Sequence, residues 1–208
     1  MNSREKTISA AIEVFSIKGK HGARMEEIAK EAGVNKSTVY YYFNSKENLY
    51  REVLKKIYYE KFRFVFDELQ RIQSDGINHI ERAKTIIRSF SRAFSENPNY
   101  TTIINNALTN EPQDLQFVIR HLKAEYDFIR PEKLVGFFEE GISNKAFRNI
   151  DARQTIISIV GVTMIFFIGK PIIEIMLGLD LEDEEVFLNE RQESLMDLLL
   201  YGIVNKPE

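Results

Sequence analysis

Lys36, Ser37, Thr38, Tyr40, Tyr41 and Tyr42 lie in one short run and carry the side-chain chemistry with which proteins grip nucleic acid. One ammonium, two short hydroxyls and three phenols suit the base edges of a DNA major groove and its phosphate walls. The run turns these groups outward if Val34, Val39 and Phe43 form the buried side of a helix. Lys36, Ser37, Thr38 and Tyr41 are the expected base-edge and nearby phosphate contacts. Tyr40, Tyr42 and Lys46 are expected to hold phosphates, with Lys46 helped by the positive N-terminus of the helix it opens. Arg24 and Met25, at the start of the preceding segment, complete the candidate set.

Those side chains need a scaffold that presents them, and residues 25–44 can supply one. Ile28 and Ala29 sit on the inner face of a first short helix. Ala29 is small enough to let two helices cross steeply, and Ala32, Gly33 and Val34 make a tight turn. Gly33 can enter the left-handed backbone region at little steric cost, which ends one helix and redirects the chain. Asn35 is placed to cap the next helix. An Ala-x-x-x-Gly turn also occurs in ordinary helical corners, so the flanks carry the decision. Upstream, Ile8, Ala11, Ile12 and Phe15 repeat as one helical stripe that ends at Gly19. Downstream, Ser45 can cap a long helix opening Ser45-Lys46-Glu47-Asn48-Leu49. A corner with a third helix folded over its back is a complete helix-turn-helix DNA-binding unit.

Residues 4 to about 57 resemble the DNA-binding domain of the TetR (tetracycline-repressor-like) transcriptional regulators. The matching stretches are Ala11-Ile12-Glu13-Val14-Phe15 with Gly19, Ile28-Ala29 with Ala32-Gly33-Val34, Ser37 to Phe43, and Ser45 to Leu49. Two departures are visible. Arg24-Met25 stand where many members have Thr or Ser opening a helix, and Tyr42 stands where His is frequent. The resemblance implies an all-α fold: a three-helix DNA-binding domain over residues 1–48, then a helical ligand-binding and dimerisation domain over 49–206.

Composition agrees with a basic head on an acidic body. Residues 1–63 carry 13 Lys and Arg against 8 Asp and Glu, whereas residues 64–208 carry 15 against 23. Such an asymmetry is expected if only the head meets phosphates. The chain has no cysteine, which excludes disulfides, thiol catalysis and cysteine-ligated metal. His21, His79 and His121 are isolated, without metal-ligand spacing. No phosphate loop or serine nucleophile elbow is present, so no catalytic residue, metal or cofactor is expected. The N-terminus leads straight into an amphipathic helix, and the cytoplasm is the expected compartment.

Beyond residue 45 the pattern is helical throughout. Breaks are expected at Asp75-Gly76, Asn97-Pro98 and Arg130-Pro131, with an acidic loop from Asp180 toward Glu185. Asp151 can cap an apolar helix that Pro171 should kink before it runs to about Leu177. Its apolar run, Ile156 to Ile168, is shorter than the roughly 20 residues that a bilayer needs, so it reads as a buried helix and no membrane partner is expected. The final helix is apolar nearly all round, more than one core requires, and a second copy of the chain is the economical cover. Ile165, Ile172, Leu195, Leu198, Leu199 and Gly202 are the expected homodimer contacts, in keeping with the four-helix interface that the resemblance implies.

The resemblance also implies an effector pocket in the body, where Phe90, Phe94, Tyr126, Phe137, Phe138, Met164 and Phe167 are the candidates. Together these expectations describe a dimeric repressor on a two-fold symmetric double-stranded DNA operator, released by a small, largely apolar effector of unknown identity. A DNA-binding regulator controlled by a protein partner is the alternative.

Overall fold

Apolar residues recur at three- and four-residue intervals along the whole chain, and the protein folds accordingly into helices. The computed structural model describes residues 1–74, 78–126, 131–179 and 184–204, within which ten helices occur. The expected breaks at Asp75-Gly76 and Arg130, and acidic residues 180–183, lie outside the described residues. In chain order the helices are α1 (Ser3–Gly22), α2 (Met25–Glu31), α3 (Lys36–Phe43), α4 (Lys46–Ser74) and α5 (His79–Ser95). They continue as α6 (Pro98–Asn110), α7 (Pro112–Glu125), α8 (Pro131–Ser143), α9 (Ala152–Leu177) and α10 (Glu184–Ile203). Among the described residues the one β-type pairing is an isolated bridge between Phe147 and Val204.

Local chemistry sets many of the ends. Asn2 accepts from the Glu5 amide at 2.9 Å while its own amide donates to Glu5 Oε2 at 3.0 Å, a reciprocal cap that closes the start of α1. Gly19, at φ +65°, breaks the regular geometry of α1 one turn before its end. Ser45 Oγ accepts from the Asn48 amide at 3.1 Å, and Asp151 Oδ1 caps α9 through Arg153 and Gln154. The expected Asn35 cap does not form: its side chain makes no hydrogen bond to α3, and its backbone carbonyl takes the Thr38 amide instead.

The helices assemble into two packing units. One contains residues 1–62 and 97–127, and the other residues 63–96 and 128–208. This division follows packing and differs from the functional boundary expected at residue 48. In the first unit α6 and α7 pack with the head. Phe15, Ile28, Val39, Phe43, Leu49, Leu54 and Ile57 are buried, and the Phe15 and Tyr50 rings meet edge to face at 5.1 Å.

The first unit also buries a charge. The Asp114 side chain on α7 is 7% exposed and takes a 2.6 Å hydrogen bond from Arg51 Nε on α4 and an ion pair from Lys20 on α1. Beside it Glu111, also buried, lies 3.4 Å from His21 Nε2. Burial raises the Tyr50 phenol above its ordinary value, so it stays neutral among these groups.

The second unit has its own apolar core, in which Ile86, Ile87, Phe137, Phe138, Phe147, Ile159, Met196 and Ile203 pack together. Here α9 departs from expectation. Its 26 residues run through Pro171 to Leu177, where the pattern placed its end, but only 17% of its most apolar stretch is buried. It is therefore long and apolar enough to cross a membrane, by length and composition, and is not a buried helix. The reason is geometric: Ile159, Thr163 and Phe166 form one buried inward stripe, the flanks beside it are half-buried, and Ile157, Ile165, Ile172, Ile175 and Met176 are exposed.

Asp114 makes acid stability testable. Burial pushes its carboxyl up, but hydrogen bonds and charge from Lys20 and Arg51 together outweigh this and hold it below the ordinary 3.8. A lowered folded value means that the unfolded chain binds the proton first. The stabilisation is complete above 3.8 and is lost as pH falls through the folded value. Urea unfolding followed from about pH 5 to about pH 2.5 should show this loss in the wild type and lack that component in Asp114→Asn.

Candidate nucleic-acid interface

The turn that presents α3 is built as its residue types require. The Ala32 amide bonds the Ile28 carbonyl at 2.9 Å, and the Val34 amide reaches back to Ala29 at 3.0 Å. Gly33 sits at φ +63°, where a side chain would be strained. Val39 and Phe43 are buried behind α3. With that face committed to the core, Ser37, Tyr40, Tyr41 and Tyr42 are exposed and Thr38 is half-buried. Tyr41 projects furthest, at 80% exposure, with its ring edge to face against Tyr42 at 5.2 Å.

Lys36 is exposed at the start of α3, but it is paired with Glu26 of α2, and its ammonium lies 5.6 Å from the centre of the Tyr40 ring. The hydrogen bond between the two lowers the Glu26 carboxyl and raises the Lys36 ammonium, so both stay charged. The pair ties α2 to α3 and places a carboxylate at the edge of the surface. Because Asn35 does not cap α3, its side chain leaves the first-turn amides beside Lys36 and Ser37 uncovered.

Two candidates fall in places that the sequence reading did not foresee. Met25 is 5% exposed and belongs to the core, so only its backbone is near the surface. Lys46 is engaged within the chain: its Nζ donates to the His21 carbonyl at 3.1 Å and the Ala23 carbonyl at 3.0 Å. It thereby closes the end of α1, whose last carbonyls lack helical partners. Arg24 is exposed and starts α2 without a side-chain cap, its carbonyl taking the Glu27 and Ile28 amides. Arg4 was missed by sequence reading. It pairs with Glu52 and lies 5.5 Å from the Phe43 ring centre, fastening α1 to the back of α3. These partners are too far apart along the chain for spacing to reveal them.

Residues 8–53 match the family described as bacterial regulatory proteins, tetR family. The whole chain is 30% identical over 210 residues to the HTH-type transcriptional regulator RutR of Escherichia coli K12, covering 98% of this chain and 92% of that one. This chain belongs to the tetR family. It is therefore a DNA-binding transcriptional regulator with a helix-turn-helix head and an all-α fold. A further likeness in sequence is the fatty acid metabolism regulator protein of Bacillus subtilis, 25% identical over 203 residues, covering 96% of this chain and 94% of that one. In fold, the fatty acid degradation regulator FadR of Bacillus halodurans superposes with a TM-score of 0.70 at 22% identity, covering 96% of this chain and 95% of that one.

The remaining candidates of this tetR-family chain distribute unevenly. Phe137 and Phe138 are core residues packed on Phe147, not free walls of a pocket. Phe94 stacks on Phe167 at 6.4 Å, and both, with Phe90 and Met164, are half-buried. Tyr126 belongs to the first unit, where it packs on Tyr59 at 4.7 Å and lines a groove of about 580 Å³ with Arg4 and Lys55. Of the proposed dimer contacts, Leu195 is buried at 5%, so it serves its own core. Ile165, Ile172 and Leu198 are exposed, and Leu199 and Gly202 half-buried.

The two kinds of head residue predict opposite phenotypes. Lys46→Met removes two charge-assisted hydrogen bonds and should cost about 2 kcal/mol of stability, weakening binding to every DNA sequence. Tyr41→Ala, at an exposed site, should change stability by less than about 0.5 kcal/mol while relaxing sequence preference. Thermal melts paired with binding to specific and random duplexes distinguish the two, and a stability loss in Tyr41→Ala would reject its role as a reader.

Proposed function

We propose that this chain is a homodimeric repressor of the tetR family that binds a two-fold symmetric operator and is released by a small, largely apolar effector. The observation that carries the DNA-reading part is α3 itself, with Val39 and Phe43 committed to the core, Ser37 and Tyr41 exposed and Thr38 half-buried between them. In this reading residues 1–48 meet DNA in the cytoplasm, and residues 49–206 sense the effector and join the subunits. Lys36, Tyr40, Tyr42 and Arg24 contact phosphates or adjacent base edges. Two heads then meet half-sites about 34–36 Å apart, one turn of DNA.

The uncovered surface of α9 supports the second copy. At about 100° per residue, Ile157, Ile165, Ile172, Ile175 and Met176 fall on one face, and all five are exposed. Leu198 and Tyr201 of α10 are exposed as well. Apolar faces of this size on a soluble chain are interaction sites, and the same patch on a two-fold copy is self-complementary. Because α9 is also long and apolar enough to cross a bilayer, membrane insertion is the second reading. Lys170 and Glu174, an ion pair at 4.0 Å in its C-terminal half, speak against it.

Half-buried Phe90, Phe94, Met164 and Phe167 are the remaining effector contacts, and they favour an apolar or aromatic molecule. The Bacillus subtilis relative whose name links it to fatty acid metabolism agrees with that class. Such a ligand acts only through its different affinity for the DNA-bound and free conformations. Control by a protein partner in place of the effector would leave the chain without ligand-induced thermal stabilisation.

Binding to DNA upstream of the chain's own gene, compared with random DNA at two salt concentrations, tests the operator reading. A symmetric site bound preferentially, with affinity falling as salt rises, is expected. Sedimentation tests the seam. Ile165→Glu with Ile172→Glu should leave a folded chain of single mass, because both side chains are exposed in the monomer, whereas the wild type sediments at twice that mass. Wild-type protein that floats with lipid vesicles and sediments as one chain in their absence would favour the membrane reading instead.

A further inference from the structure

Asp114 lies outside the DNA-facing surface, yet it joins three helices of the first unit. Its carboxylate is paired with Lys20 in the last turn of α1 and with Arg51 on α4, and it stands in the first turn of α7. Arg51 also spreads over the Phe117 ring of α7, 4.5 Å from its centre. One residue upstream of α7, buried Glu111 faces His21. Lys46, from α4, holds the carbonyls of His21 and Ala23. The segment Lys20–Ala23 is thus held by both α7 and Lys46, and the next residue, Arg24, opens the helix-turn-helix.

Apolar packing is non-directional and lets neighbouring helices slide or rotate. Charge-assisted hydrogen bonds do not: they are short and angular, and a buried carboxylate without its cations is costly. A buried ion pair therefore fixes an arrangement more than it adds to stability. Here it fixes the end of α1, and with it the entry to α2 and α3, against α7.

We propose that Asp114 is the positioning residue that sets the pose of the DNA-reading head on α7, so that operator affinity depends on a carboxylate that never meets DNA. The proposal rests on the operator reading above, because pose matters where two heads must match a fixed spacing. If loss of the clasp leaves only a tenth of the molecules in the competent pose, apparent affinity falls about tenfold.

Simple electrostatics predicts the opposite sign, which makes the test sharp. Removing a negative charge strengthens attraction to any DNA, so Asp114→Asn would bind both operator and random DNA more tightly if charge alone mattered. The clasp predicts about tenfold weaker operator binding, with random-DNA binding unchanged or tighter. The slope of log affinity against log salt should stay that of the wild type, since the same phosphates are neutralised. Lys20→Met should weaken operator binding too, and the double variant should be no worse than the poorer single one.

Pose is read without DNA. The chain has no native cysteine, so Lys30→Cys on α2 and Gln116→Cys on α7, both exposed, can carry paired spin labels. Excess unlabelled protein keeps the measured distance within one chain. Asp114→Asn should broaden or shift the wild-type distribution. An unchanged distribution together with an operator affinity within twofold of wild type overturns the clasp. Should Asp114→Asn fail to fold, Arg51→Gln, which keeps the Lys20 pair, is judged by the same two criteria. Wild-type protein that does not discriminate operator from random DNA would reject the operator reading, and the distance measurement would still decide the clasp.

Discussion

An eight-residue helix cannot stand alone in water, since fixing its first turn costs more than its few hydrogen bonds return. The recognition helix α3 exists because Val39 and Phe43 are buried, and everything around it serves that burial. The left-handed turn at Gly33 brings α3 back across α2, Arg4 lies over the far face of Phe43, and Lys36 straps the two short helices at their open edge. The exposed polar and aromatic face of α3 is what remains once the inner face is spent. Tyr41 is exposed for the same reason that Val39 is not.

The head's cations divide into two populations. Lys36 is exposed at the start of α3, though already partnered by Glu26. Lys20, Lys46 and Arg51 look equally basic in a charge count, but they hold the end of α1 and the start of α4 in place. Basic composition therefore overstates the charge available to phosphates. It also hides a functional distinction, because a lysine on a carbonyl shapes the surface and a lysine in solvent forms it.

In the second unit the governing constraint is the cost of uncovered apolar surface. A core built on Phe137, Phe138 and Phe147 satisfies one stripe of α9 and the inner side of α10. Ile157, Ile165, Ile172 and Ile175 of α9 are left outside, a surplus that the described residues of one chain do not bury. Gly161 lies in the middle of that face with no neighbouring atom within 4 Å of where a Cβ would stand, which lets another helix approach closely.

Much of this was legible in the residues. The helical class, the turn at Gly33, the burial of Val39 and Phe43, the caps by Ser45 and Asp151 and the outward tyrosines all follow from local rules: spacing, backbone preference and the reach of a short side chain. What only the tertiary structure decided is where long, flexible or apolar side chains end. Lys46 could serve a phosphate or a carbonyl by its chemistry, and the end of α1, more than twenty residues upstream, took it. Leu195 and Leu198 are identical in type and one turn apart, yet one is core and the other surface. The length of α9 was legible but its exposure was not, because an apolar run reads as buried and the neighbours in one chain cover only part of its circumference. Local preference determines which element forms. Which face is covered, and which charge meets which, depends on partners tens of residues away, and no local pattern encodes that.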